Sequence, residues 1–179
     1  MKPSFRIGLL LAALVIFADR ISKDWALAFV TQHGGYFEVT PFFNLVAVYN
    51  YGISFGLFQS GDTGRWILIA LALAISAGLF VWMWREDSKW VTPALGAIIG
   101  GALGNVFDRM VDKKAVFDFL DFHAFGYHWP AFNVADSAIV LGVAIILIDS
   151  FIHREENVNG EDTATRTGSK PTDNGDKSQ

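Results

Sequence analysis

The sequence has no cysteine, and that absence removes disulfides, thiolate nucleophiles and Cys-based zinc sites together. None of its four histidines, His33, His123, His128 and His153, is spaced from another as in the His-x-x-x-His pair of a zincin helix. His123 and His128, five apart among aromatics, read as surface or interfacial residues rather than metal ligands. A formal charge of −4 is mild, and the basic residues are scattered rather than gathered on one face, so no footprint for nucleic acid is present. No metal, cofactor or nucleic-acid partner is expected.

What is abundant is apolar surface. Of the 179 residues 52% are hydrophobic, with 16 Phe and 6 Trp, which puts the chain on the membrane side of the globular range. Met1 to Arg6 is short and basic and Ile7 to Ala18 almost wholly apolar, as in a cleavable secretory signal. Ala26-Leu27-Ala28 formally resembles a cleavage site, but Asp19, Arg20, Lys23 and Asp24 separate it from the apolar run. The pattern resumes through Val30, so a retained first membrane helix over about 8–30 is expected. Asp19 and Lys23, four apart, share a helical face; they read equally as a structural ion pair or as part of a polar site.

Residues 31–65 carry turn glycines and short aromatic and β-branched runs, the chemistry of a small sheet outside the hydrocarbon. Trp66 to Trp84 is nineteen residues without a charge, the cleanest span in the chain. A polar turn at 85–89 leads to a third span over 93–108, where Gly96, Gly100 and Gly104 form a groove for close helix approach. Residues 109–130 read as a loop and 131–152 as a fourth span. Residues 1–153 therefore make one membrane-embedded domain, mainly α, a four-helix bundle with a small extracytoplasmic β-rich subdomain. Residues 154–179 have almost nothing apolar to bury and read as a disordered cytoplasmic tail. Lys2, Arg6, Arg85, Lys89, Arg154 and Arg166 outnumber Arg65, Arg109, Lys113 and Lys114, which favours both termini in the cytoplasm.

The chemistry concentrates between Asp108 and Asp136. An ionisable group at membrane depth costs roughly 2.5 kcal/mol or more by insertion scales unless it is paired or used. Asn105, Asp108 and Arg109 share one side of the third helix at its outer end, and Asn133 and Asp136 are three apart on the fourth. Asp118, between Phe117 and Phe119 in the connecting loop, can dip toward both. Two carboxyls sharing one proton can hydrolyse a peptide bond: the ionised one takes a proton from water while the protonated one polarises the carbonyl. Intramembrane Asp, Arg and Lys also suit a small transporter or proton pathway, but the repeated halves of such a protein are not visible. A scaffold with polar pairs for helix association leaves the clustered acids without a reason.

Five motifs occur in order: Asp19-x-x-Ser22-Lys23, Asn50-x-Gly52-x-x-Phe55, Gly100-Gly101-Ala102-x-Gly104-Asn105-x-x-Asp108-Arg109, Val116-x-Asp118-Phe119 and Phe132-Asn133-x-Ala135-Asp136. Together they resemble lipoprotein signal peptidase, or signal peptidase II, over about residues 10–150. The resemblance implies an aspartyl endopeptidase of the bacterial inner membrane with four membrane helices and its active site near the extracytoplasmic face. It implies cleavage of prolipoproteins just before a diacylglyceryl-modified cysteine, inhibition by globomycin, and membrane lipid as surroundings; a monomer is expected. By motif, Asp118 and Asp136 are the catalytic pair. Asn50, Gly52, Arg109 and Asn133 would position substrate or support the site, with Asn105, Asp108, Asp19 and Lys23 behind them. Asp121 repeats the Asp-Phe pair three residues after Asp118, but Val116 favours Asp118. Arg109 is expected to hold Asp108 ionised, as scaffold rather than proton donor.

Overall fold

A computed structural model describes residues 2–52, 61–111 and 114–167, without the side chains of 61 and 153–167. The elements run α1 (Pro3–Gln32), β1 (Tyr36–Thr40), β2 (Phe43–Asn50), α2 (Gly61–Arg85), α3 (Val91–Val111), β3 (Val116–Ala124), β4 (Tyr127–His128) and α4 (Val134–Thr167). Phe55 and Lys113 lie outside the described residues, as do 168–179 of the expected tail.

Three helices are long and apolar enough to cross a membrane: Asp62–Arg85, Val91–Val111 and Val134–Ile152. In the third-span helix α3, 72% of the apolar window is buried, against 22% in α2 and 17% in α4, so α3 is the central element and the other two present apolar faces outward. α1 is longer still, at 30 residues, but its acids and bases interrupt its apolar character. Its buried residues, Phe5, Gly8, Ala12, Val15, Asp19, Lys23, Ala26 and Val30, recur every three or four positions and form one packing stripe. Asp19 and Lys23 belong to that stripe, so they face the protein.

The expected glycine groove is where α1 and α3 meet. A Cβ on Gly96 would lie 2.1 Å from the Gly8 carbonyl oxygen, and one on Gly100 2.6 Å from that of Ala12. Gly101, one residue on and so turned by about a quarter of the helix, does the same for α4: its Cβ would lie 2.4 Å from the Ala135 carbonyl oxygen. α3 thus brings the backbones of α1 and α4 to the same level on two of its sides.

The strands form one antiparallel sheet in the order β1-β2-β3-β4. Its first half falls inside the expected 31–65 segment. Its second half corrects the reading of 109–130 as a loop: Val116 to Ala124 is a nine-residue strand paired with β2, and Asp118 stands opposite Val48 on it. The Phe- and Val-rich run there has strand propensity, which only becomes visible once β2 supplies a partner. Phe117 and Phe119 pack with Ala26, Val30 and Leu45, tying the sheet to the end of α1.

From Leu147 the chain forms a separate unit. The expectation of a disordered tail over 154–179 is corrected over its first part, because helical backbone continues to Thr167. Extending an existing helix needs no new nucleation, so it requires less apolar burial than starting one.

Candidate active site

Asn133 and Asp136 begin α4, and their spacing makes a capping box. Asn133 Oδ1 accepts the Asp136 backbone N–H at 2.9 Å, and Asp136 Oδ2 accepts the Asn133 N–H at 3.3 Å. The sequence reading saw only two polar residues on one face; the Asn-x-x-Asp pattern before an apolar run was the signal for the cap. The capping side chain has an amide left over, and its Nδ2 donates to Asp118 Oδ1 at 2.7 Å.

β3 is brought to this cap by its backbone. Phe132 donates its N–H to the Leu120 carbonyl at 3.1 Å, and its own carbonyl accepts from Leu120 at 2.9 Å and from Phe119 at 3.1 Å. That bridge sits one residue before Asn133 and two after Asp118, so it fixes the two side chains against each other. Asp118 is 2% exposed and Asn133 wholly buried. From β2, Asn50 Nδ2 donates to Asp118 Oδ2 at 3.2 Å, while Asn50 Oδ1 accepts the Gly52 N–H at 3.1 Å. Burial first, and then the charge of Asp136, push the Asp118 carboxyl up to about 7, against the opposing hydrogen bonds of Asn50 and Asn133 and the charge of Lys23.

α3 contributes Asn105, whose Nδ2 donates to Asp136 Oδ1 at 2.8 Å. Its Oδ1 accepts from Lys23 at 3.2 Å and from Asn133 at 3.3 Å. Lys23 lies between two acids, 2.7 Å from Asp19 and 2.6 Å from Asp108, and all three side chains are nearly inaccessible. Asp108, which feels the charge of its neighbour Arg109 as expected, thus has Lys23 as a further partner. Adjacent helical residues point about 100° apart, and Asp108 meets Lys23, with Arg20 at 3.8 Å, while Arg109 donates to the carbonyls of Asn105 at 3.2 Å and Gly52 at 3.1 Å.

Asp118, Asp136, Asn50, Gly52, Asn105, Arg109 and Asn133 thus form one connected site, with Asp19, Lys23 and Asp108 behind Asn105. Asp121 is elsewhere. It accepts from Asn44 Nδ2 at 2.8 Å and stands 2.9 Å from His128 Nδ1, and Tyr36 donates to Asn44 in turn at 3.0 Å. Burial works to raise its carboxyl, but the Asn44 and His128 contacts hold it below the usual range. Of the two acids in the repeated Asp-Phe pattern, only Asp118 is placed and tuned to hold a proton near neutrality. The Tyr36, Asn44 and His128 chain escaped the sequence reading, since it depends on a cross-strand register; Asn44 stands opposite Asp121.

A family model described as signal peptidase (SPase) II matches residues 11–152. The chain is 47% identical over 156 residues to the lipoprotein signal peptidase of Methylobacterium radiotolerans, covering 84% of this chain and 88% of that one. It is 45% identical over 153 residues to the lipoprotein signal peptidase of Vibrio vulnificus, covering 80% and 88%. A bacterial membrane enzyme solved by the in meso method matches with a TM-score of 0.67 at 32% identity, over 79% of this chain and 90% of that chain. On these matches the chain belongs to the signal peptidase II family of aspartic-type peptidases.

Proposed function

We propose that this protein removes the signal peptide from bacterial prolipoproteins immediately before a diacylglyceryl-modified cysteine, with Asp118 and Asp136 activating the water. The observation that carries the reading is Asn133, which holds Asp118 with its amide and Asp136 with its carbonyl oxygen. One residue thus holds both acids, Asp118 by its side-chain amide and the Asp136 carboxylate by its backbone N–H, so that a single proton can serve the pair. Asp118, raised to about 7, carries that proton at rest. Asp136 takes a proton from the water as its oxygen attacks the scissile carbonyl, and Asp118 donates to the carbonyl oxygen. Collapse of the resulting diol transfers a proton to the leaving nitrogen and breaks the C–N bond, with no metal or covalent intermediate.

The substrate is a membrane helix carrying acyl chains. α1 completes four crossings with the three apolar helices. Lys2 pairs with Asp87 at 2.7 Å, which puts the start of α1 beside the α2–α3 turn, while the sheet lies at the other end. With the excess of basic residues, this supports cytoplasmic termini in the inner membrane and a site at the extracytoplasmic face. Asn50 and Arg109 position the peptide from the sheet side. The enzyme acts as a monomer, and a globomycin-type inhibitor would occupy the same site.

Purified protein incubated with a diacylglyceryl-modified precursor tests the reading. Asp118→Asn and Asp136→Asn keep shape and hydrogen bonding but cannot share an acid proton, and each is expected to abolish cleavage. Normal cleavage by either would sink the dyad.

A further inference from the structure

We infer that Asp19 is a positioning residue for this reaction, which caps the first turn of α4 from α1 and so fixes Asp136. The inference rests on the dyad reading above. The first turn of a helix leaves backbone N–H groups without intrahelical partners. Asn133 satisfies that of Asp136, but the Ala135 N–H is beyond the local cap and Ala135 is wholly buried, out of reach of water. Asp19 Oδ1 accepts it at 2.9 Å, from a residue 116 positions earlier in the chain.

The other Asp19 oxygen, Oδ2, is 2.7 Å from Lys23 Nζ, which also donates to Asn105 at 3.2 Å, and Asn105 donates to Asp136 Oδ1 at 2.8 Å. α1 therefore reaches Asp136 twice, through the backbone one residue before it and through the amide on its carboxylate. Asp19 itself is anchored, since Ser22 Oγ donates to its carbonyl at 2.9 Å. Gly104 leaves the room required: a Cβ there would lie 3.0 Å from Asp19 Oδ2 and 3.6 Å from the Ala135 Cβ. A plain ion pair between Lys23 and Oδ2 would not need the hydrogen bond that Oδ1 accepts from α4.

The cap and the charge separate experimentally. Asp19→Asn retains an acceptor for Ala135 and loses the charge; Asp19→Ala loses both. A displacement of about 1 Å at a reacting group can lower turnover about 100-fold. For Asp19→Ala we expect a kcat loss of that order with little change in KM for the lipidated precursor, and faster hydrogen exchange at the Ala135 amide. Asp19→Asn should recover most of the kcat and restore the protection. The charged groups nearest the dyad are Lys23 from α1 and Arg109 from α3, with Asp19, Asp108 and Arg20 behind them. Without Asp19 the charge of Lys23 is less offset, so in both variants the alkaline limb of the kcat profile should move to lower pH. That shift reports the charge alone; the readout that a merely structural ion pair would not give is the recovery of kcat in Asp19→Asn, which keeps the acceptor and loses the ion pair.

Equal kcat losses in the two variants, or unchanged kcat in Asp19→Ala, would overturn the inference. If Asp19→Ala does not fold, Gly104→Ala, which crowds Asp19 without removing it, should expose the Ala135 amide and lower kcat; parent values for both would also overturn it. Asp118→Asn and Asp136→Asn are run alongside. If they cleave normally the dyad reading falls, whereas if they are inactive and Asp19→Ala keeps its kcat, only the positioning role falls.

Discussion

Asn133 Nδ2 lies 2.7 Å from Asp118 Oδ1, and it is the only route among the described residues by which one side chain touches Asp118 and also caps the helix that carries Asp136. Loss of an N-cap costs about 1 kcal/mol, but here it also releases both acids from a common support. Asn133→Ala should therefore lower stability modestly and kcat by about 100-fold or more, the scale on which misplaced catalytic groups lose rate. Comparing Tm in detergent with turnover of the lipidated precursor checks this; a kcat within a few-fold of the parent would remove Asn133 from the site.

Asp121 supplies the converse. Its carboxylate is engaged with Asn44 and His128 on the outer part of the sheet, away from Asp136. Asp121→Asn should destabilise the sheet by about 1–3 kcal/mol, as expected when a buried hydrogen-bonding network loses its charged acceptor, while cleavage at a permissive temperature stays near the parent value. Abolished cleavage by a folded Asp121→Asn protein would reverse the choice between the two Asp-Phe pairs.

The arrangement of helices could be read from runs such as Trp66 to Trp84 because the lipid-facing length is written in consecutive apolar residues. β3 could not, because Val116 to Ala124 is a strand by virtue of its partner β2, some 70 residues away, and its own pattern mixes acids with aromatics. Asp118, Asp136 and Asn133 were accessible by motif. The ion pair of Asp108 with Lys23 was not: Lys23 approaches it because Gly96 and Gly100 let α1 lie against α3. Adjacency to Arg109 in sequence carried no information about that contact.

The glycines differ in what they do. A Cβ on Gly96 would meet the backbone of Gly8, while one on Gly78, in the outward-facing α2, would meet nothing within 4 Å. Gly96→Ala should cost about 1–3 kcal/mol as overpacking, and lower activity by moving the Lys23 end of α1. Gly78→Ala should be neutral or stabilise by up to about 1 kcal/mol through helix propensity. Thermal unfolding of the two variants in the same detergent decides it, and a Gly96→Ala protein as stable as Gly78→Ala would contradict the packing.

Arg109 ties α3 to the turn after β2. Its donation to the Gly52 carbonyl at 3.1 Å, with Asn50 Oδ1 accepting the Gly52 N–H, makes a chain that ends at Asp118. The guanidinium reaches the Asn105 and Gly52 carbonyls with two separate nitrogens held in a fixed fork, a geometry that the single nitrogen of a lysine does not reproduce. Arg109→Lys should therefore lose about 10-fold or more in kcat/KM, equivalent to roughly 1.4 kcal/mol, and Arg109→Ala at least as much. Unchanged cleavage of a lipidated substrate by Arg109→Ala would withdraw the role.

The raised Asp118 carboxyl also predicts how stability depends on pH. Its pKa is about 7 in the folded protein against 3.8 ordinarily, so between those values the folded state binds a proton that the unfolded state has released. Stability must then fall as pH rises from about 4 to about 7, and the whole penalty is present above 7. Asp118→Asn cannot incur that penalty. It should therefore raise the Tm relative to the parent at pH 8, with the gain shrinking toward zero as the pH is lowered to 4. The same proton governs turnover, and parent kcat should decline above about pH 7 as the shared proton is lost. A difference in Tm between Asp118→Asn and parent that is constant from pH 4 to pH 8 would mean that burial does not hold a proton on Asp118.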